Sequence, residues 1–140
     1  MGNMEIEEFF KIYQNSVWCK DTTAMISLYD EQAVIFDMWD QGYTLNPSEW
    51  AKTIEDWFGS LGEEKVKVEF EKVKIHQSYN VGFASALIQF QAISNEGAVL
   101  RSMKNRITLG FSKFDDGWKV IHQHTSAPIS SNGLTAILDI

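Results

Sequence analysis

The chain has 140 residues, 44% of them hydrophobic and 13% aromatic, which fits one ordered domain with its own core and excludes a disordered or low-complexity protein. Twelve basic against 19 acidic side chains leave a net charge of −7, which argues against nucleic acid or an anionic membrane as the partner. With a single cysteine (Cys19), no basic-then-apolar leader and no apolar run near the roughly 20 residues of a spanning helix, a cytoplasmic domain is expected.

Ile6, Phe9, Phe10, Tyr13 and Val17 recur at helical spacing, so a first amphipathic helix is predicted from about Met4 to Trp18. Asp21 is placed to cap a short second helix carrying Ala24, Met25 and Leu28 inward. Gln32 to Trp39 is rich in strand formers. Asn46-Pro47-Ser48-Glu49 reads as a compact helix start, with a capping Asn46, a proline at the first helical position and Glu49 reaching back. That third helix is expected to bury Trp50, Ile54, Trp57 and Phe58 and to stop at Gly59 or Gly62.

After Gly62 the period changes. Val66, Val68, Phe70, Val73 and Ile75 predict a long strand whose alternation slips near Glu71, the signature of a bulge. Asn80 to Ser94 forms a second strand, turning at Asn95-Glu96-Gly97. Val99 to Phe114 is a third and Trp118 to Ser126 a fourth. Three helices followed by long antiparallel strands make a single α+β domain, with a core from about residue 5 to 129. The tail, 130–140, is weakly patterned, with Leu134, Ile137 and Leu138 available to pack on a neighbour.

The register of the last hairpin follows from Asp115-Asp116-Gly117. Read as a three-residue loop, it pairs Phe114 with Trp118, Gly110 with His122, Thr108 with His124 and Arg106 with Ser126. Alternation then gathers Arg106, Thr108, Trp118, Val120, His122, His124 and Ser126 on one face. The other face, turned toward the helices, takes Asn105, Ile107, Leu109, Phe111, Ile121, Gln123 and Thr125. A two-residue turn would shift the pairing by one and mix the faces.

His122 and His124 alternate as metal ligands can, but zinc needs a third or fourth donor, and neither His76 nor Cys19 stands at a matching spacing. No metal is expected. A polar stripe at a subunit interface fits these histidines better. Asp37 is the group whose place demands a reason, inside the apolar run Ala33-Val34-Ile35-Phe36-Asp37-Met38-Trp39. A carboxylate so placed can have a raised pKa and act as general acid or base. The ordinary alternative is a strand-end carboxylate bonded to backbone amides or to a cation. Tyr13 divides the same way between core filler and a hydroxyl seeking a partner.

Phe36-Asp37, the helix from Trp50 to Phe58, Arg106-Ile107-Thr108 and the run from His122 to Pro128 together resemble the SnoaL-like and DUF4440-type members of the NTF2-like superfamily, which includes ketosteroid isomerase, polyketide cyclases and the calmodulin-dependent kinase II association domain. The resemblance covers about residues 5–129. It implies a cone-shaped, cystatin-like α+β fold, three helices packed in a strongly curved antiparallel sheet, dimeric through the outer face of that sheet. Set against ketosteroid isomerase, Tyr13 falls on the oxyanion-hole tyrosine and Asp37 on the general base, while the second oxyanion donor falls on Leu109, which cannot donate. Set against the kinase association domain, the alternating histidines match His122 and His124, whereas its pocket arginines fall near Ile88, Leu109 and Thr125. The resemblance therefore implies a pocket shaped by Trp39, Trp57, Asn105, Leu109 and Gln123, with Asp37 and Tyr13 as its chemistry. It implies a dimer interface at Arg106, Thr108, His122, His124 and Ser126. The expected ligand is a small hydrophobic carbonyl compound, handled without a cofactor by an isomerase- or cyclase-type reaction. The alternative is a non-catalytic dimeric module for ligand binding or association.

Overall fold

The computed structural model describes residues 4–140. α1 (Ile6–Cys19) starts with the Glu5 N–H donating to the Glu8 carboxylate and turns Ile6, Phe9, Phe10, Tyr13 and Val17 into the core. Lys20, in the left-handed region at φ 55°, ends it, and its ammonium reaches the Gly62 carbonyl at 2.7 Å. α2 (Thr22–Ile26) is capped by Asp21, whose carboxylate accepts from the Ala24 N–H. β1 (Tyr29–Phe36) follows directly, and a loop leads to α3 (Pro47–Ser60). There Asn46 and Glu49 bond each other's backbone N–H groups, and Trp50, Ile54 and Phe58 are buried.

Four longer strands complete the chain: β2 (Lys65–Gln77), β3 (Val81–Ile93), β4 (Val99–Phe114) and β5 (Gly117–Ser126). The sheet order is β1-β5-β4-β3-β2. β2 through β5 pair antiparallel, as expected, whereas β1 lies parallel to β5, with Phe36 beside His124. This parallel seam brings the end of β1, and so Asp37, next to the inward side chains of β5.

The expected bulge in β2 falls between Glu71 and Lys74, where Lys72 takes φ 54°. The β4–β5 hairpin departs from expectation at its tip and agrees at its base. Phe114 pairs with Gly117 and Lys113 with Trp118, so the loop has two residues, Asp115 and Asp116, rather than three. The register then slips at Ile121, after which Gly110 pairs with His122, Thr108 with His124 and Arg106 with Ser126. One extra residue in a strand turns everything beyond it to the opposite face. Trp118 and Val120 are therefore buried with Phe111, not outside with the histidines, and Ile121 is the half-buried bulge residue rather than an inner-face residue.

The tail folds back on its own chain. Lys104 donates its backbone N–H to Leu138, taking up β4 just beyond the point where β5 ends, and Ile137 donates to Pro128. Leu134 remains exposed. Among the described residues no helix is long and apolar enough to cross a membrane.

Candidate functional site

The cone formed by the sheet and helices is not filled. A cavity of about 470 Å³ opens between α3, the inner face of the sheet and the loop after β1. That volume suits a ligand of ordinary metabolite size. Its wall is mainly apolar and aromatic, with Trp50, Ile54, Trp57, Phe90 and Met103 prominent, and Trp39, 44% exposed, stands at the rim.

Tyr13 and Asp37 line this one cavity, as do Trp39, Trp57, Asn105 and Gln123. Leu109 does not. It is fully buried in the core, because β4 carries it one inward position deeper than Ile107 and two deeper than Asn105. Arg106, Thr108 and His124 are exposed on the outer face, with His122 and Ser126 half-buried beside them. Arg106 Nε donates to Ser126 Oγ at 3.2 Å, and both imidazoles meet the Phe36 ring edge-on. Phe36 is the member of this stripe that the sequence did not reveal, since it arrives through the parallel pairing of β1. Among the described residues no group of three His, Cys, Asp or Glu side chains has the arrangement to hold a metal ion, and Cys19 is exposed.

Asp37 sits one residue past β1, where the chain leaves the sheet. Its N–H donates to the Gly42 carbonyl at 2.8 Å, and the Gly42 N–H donates to Trp39, closing a tight loop behind the carboxylate. The loop needs glycine at its return, because a Cβ on Gly42 would stand 2.8 Å from Asp37 Cβ. Burial pushes the Asp37 carboxyl above its ordinary range. Hydrogen bonds from Thr125 and from the Met38 and Trp39 backbone pull the other way, while the charge of Asp40 adds to the rise. Asp37 forms no ion pair among the described residues. Arg101, a cation on the cavity wall, is held by Glu64 at 2.7 Å.

Tyr13 is buried in an aromatic nest of Phe9 and Phe70. Its hydroxyl makes no hydrogen bond among the described residues. Burial first, and the charge of Asp37 second, raise its pKa far beyond the ordinary phenol value, so it stays a proton donor. Behind it the Tyr29 hydroxyl donates to Gln123 Oε1. Sequence reasoning missed Tyr29, Thr125 as the partner of Asp37, and Asp40, Trp50 and Thr53 in the wall. For Thr125 the signal was present in its inward register.

No curated protein matches the chain significantly. Among solved structures, an NTF2-like protein of unknown function from Pseudomonas putida superposes with a TM-score of 0.83 at 21% identity, over 96% of this chain and 92% of that one. A Nuclear transport factor 2 (NTF2-like) superfamily protein from Salmonella enterica gives 0.69 at 22% identity, over 90% of each chain. A putative calcium/calmodulin-dependent protein kinase II association domain from Xanthomonas campestris gives 0.73 at 14% identity, over 88% of this chain and 85% of that one. These likenesses establish the fold. The model of the SnoaL-like domain matches residues 6–130. This chain belongs to the SnoaL-like domain family and shares the fold of the NTF2-like structures it superposes on.

Proposed function

We propose that the chain binds a small, hydrophobic, carbonyl-bearing molecule in its cone and moves a proton beside that carbonyl. What carries the reading is that Tyr13 and Asp37 line the same largely apolar cavity and neither is neutralised by a cation among the described residues. The ionised Asp37 takes the proton from the carbon next to the carbonyl. The C–H electron pair becomes the new C=C bond, and the carbonyl π pair moves onto oxygen, where the Tyr13 O–H donates to it. Asp37, now protonated, returns the proton to the same carbon or to a conjugated one. Atoms and charge balance with no cofactor and no water consumed. A raised carboxyl pKa suits this step, since a base works best when its pKa lies toward the working pH.

Solvent exchange on a simple ketone tests the reading. In D2O the wild-type protein is expected to speed deuteration beside the carbonyl of 2-tetralone, followed by NMR, while Asp37→Asn falls to the buffer rate. Exchange that is equal in the two proteins overturns it.

A non-catalytic dimeric module is the second reading, and the outer face favours it. Phe83, Gly110, His122 and Val34 lie in one row across β3, β4, β5 and β1, and Phe83 and Val34 are exposed there, 49% and 39%. Phe36 and His124 lie beside each other in an adjoining row. An exposed row of this kind suits a second copy of the chain. His124→Glu should then shift the sedimentation of the protein toward monomer, and an unaltered dimer counts against this face.

A further inference from the structure

The proton transfer proposed above, on which this inference rests, wants a second donor for the developing negative oxygen, and Leu109 cannot be one. Its cross-strand partner can. Leu109 pairs directly with Gln123, and Gln123 lines the cavity while its side chain is wholly buried. The Tyr29 hydroxyl donates to Gln123 Oε1 at 2.5 Å, and Gln123 Nε2 has no hydrogen-bond partner among the described residues. A buried amide N–H left unmade is uncommon in a folded protein and points to a group that arrives later.

The orientation of that amide is fixed from behind. Trp50 packs edge-on against Tyr29, its indole N–H beside the Tyr29 hydroxyl and without a completed hydrogen bond among the described residues. Turning the Gln123 amide round would aim two donors at the Tyr29 oxygen and leave the phenolic proton without an acceptor. The amide oxygen therefore belongs to Tyr29 and the N–H groups to whatever enters. Tyr13 lines the same cavity as Gln123.

We propose that Gln123 Nε2 is the second donor, with Tyr13, to one oxygen of the bound molecule, and that Tyr29 is a positioning residue that holds the amide in its donating orientation. The class of ligand narrows accordingly. The site takes an oxygen with two lone pairs free, as in a ketone, an enolate or a phenolate, rather than an amine or another group that must donate.

Two probes separate this claim from mere packing: 2-naphthol, which carries such an oxygen, and naphthalene, which does not. Binding is read by quenching of the cavity tryptophans. Gln123→Leu is expected to weaken 2-naphthol about tenfold, as for loss of one buried hydrogen bond, while leaving naphthalene unchanged. Tyr29→Phe should weaken 2-naphthol by a smaller factor. In the wild type, 2-naphthol should move the Gln123 side-chain amide resonances, recognised by their absence from Gln123→Leu. Should Gln123→Leu fail to fold, the Tyr29→Phe affinity and the wild-type resonance shift decide the matter. If Tyr13→Phe weakens 2-naphthol but Gln123→Leu does not, this inference is wrong and the proton-transfer reading stands. If the wild type binds neither probe, or both equally with Tyr13→Phe silent, both are wrong.

Discussion

The Thr125 hydroxyl lies between Asp37 and the turn that follows it, donating to Asp37 Oδ1 at 3.3 Å and accepting from the Met38 N–H at 3.1 Å. The parallel pairing of Phe36 with His124 is what sets Thr125 there, as the next inward residue of β5. Two influences thus meet on one carboxylate. Burial opposes its charge, and the hydroxyl and two backbone N–H groups favour it.

Removing the hydroxyl should therefore leave burial less opposed. In Thr125→Val the Asp37 pKa rises further, and the acid limb of any rate that needs ionised Asp37 moves to higher pH. The Met38 N–H also loses the Thr125 oxygen as an acceptor, so stability falls by about 1 kcal/mol. A pH–rate profile with 2-tetralone and a urea titration read the two effects separately.

The raised pKa of Asp37 has a fixed sign in stability. The native state holds this proton more tightly than the unfolded chain does, so stability falls as pH climbs from the ordinary carboxylate range through the folded midpoint. Asp37→Asn abolishes that loss. Its melting temperature should exceed the wild type's at pH 7, with the gap closing as pH falls below the ordinary carboxylate range. A gap independent of pH would mean that Asp37 ionises as freely folded as unfolded.

Gly42→Ala should disturb Asp37 from outside the cavity, since Gly42 does not itself line it. The new methyl would sit 2.8 Å from Asp37 Cβ and 3.0 Å from the Trp39 carbonyl oxygen, too close for either to tolerate unmoved. A loss of about 1–3 kcal/mol is expected, as for other overpacked sites, together with slower ketone exchange. Thermal melts and the 2-tetralone assay check this, and an unchanged exchange rate would show that the loop does not set the carboxylate.

Asn105 is buried on the cavity wall with its Oδ1 unpartnered among the described residues. Asn105→Leu, similar in shape and free of polar atoms, should stabilise the unliganded protein by about 1 kcal/mol in urea unfolding. A loss of stability instead would show that the carbonyl is satisfied in solution.

Much of this was legible in the chain because it is written in local chemistry. Asp21, Asn46 and Glu49 announce their helices by capping, and the slip near Glu71 announces its bulge. Asp37 stands out because a charge in an apolar run has few ordinary explanations. What was not legible depends on contacts distant in sequence. A two-residue turn and a bulge at Ile121 each shift the register by one, and their effects cancel beyond His122. Counting from either end therefore misplaces Trp118 and Val120 while placing His122 and His124 correctly. The parallel seam of β1 leaves no mark in β1 itself, so Thr125 and Phe36 could not be matched to their partners. Leu109 looks like a wall residue by alternation, yet it is buried in the core, deeper along β4 than the cavity reaches, and alternation does not encode that depth.

The account turns on Asp37 being a carboxyl whose charge its surroundings disfavour, and a 13C NMR titration of that side chain measures it. The resonance is identified by its absence from Asp37→Asn. The midpoint should lie above the ordinary carboxylate range and climb again when naphthalene, which can only exclude water, fills the cavity. A midpoint inside the ordinary range, indifferent to naphthalene, contradicts the account.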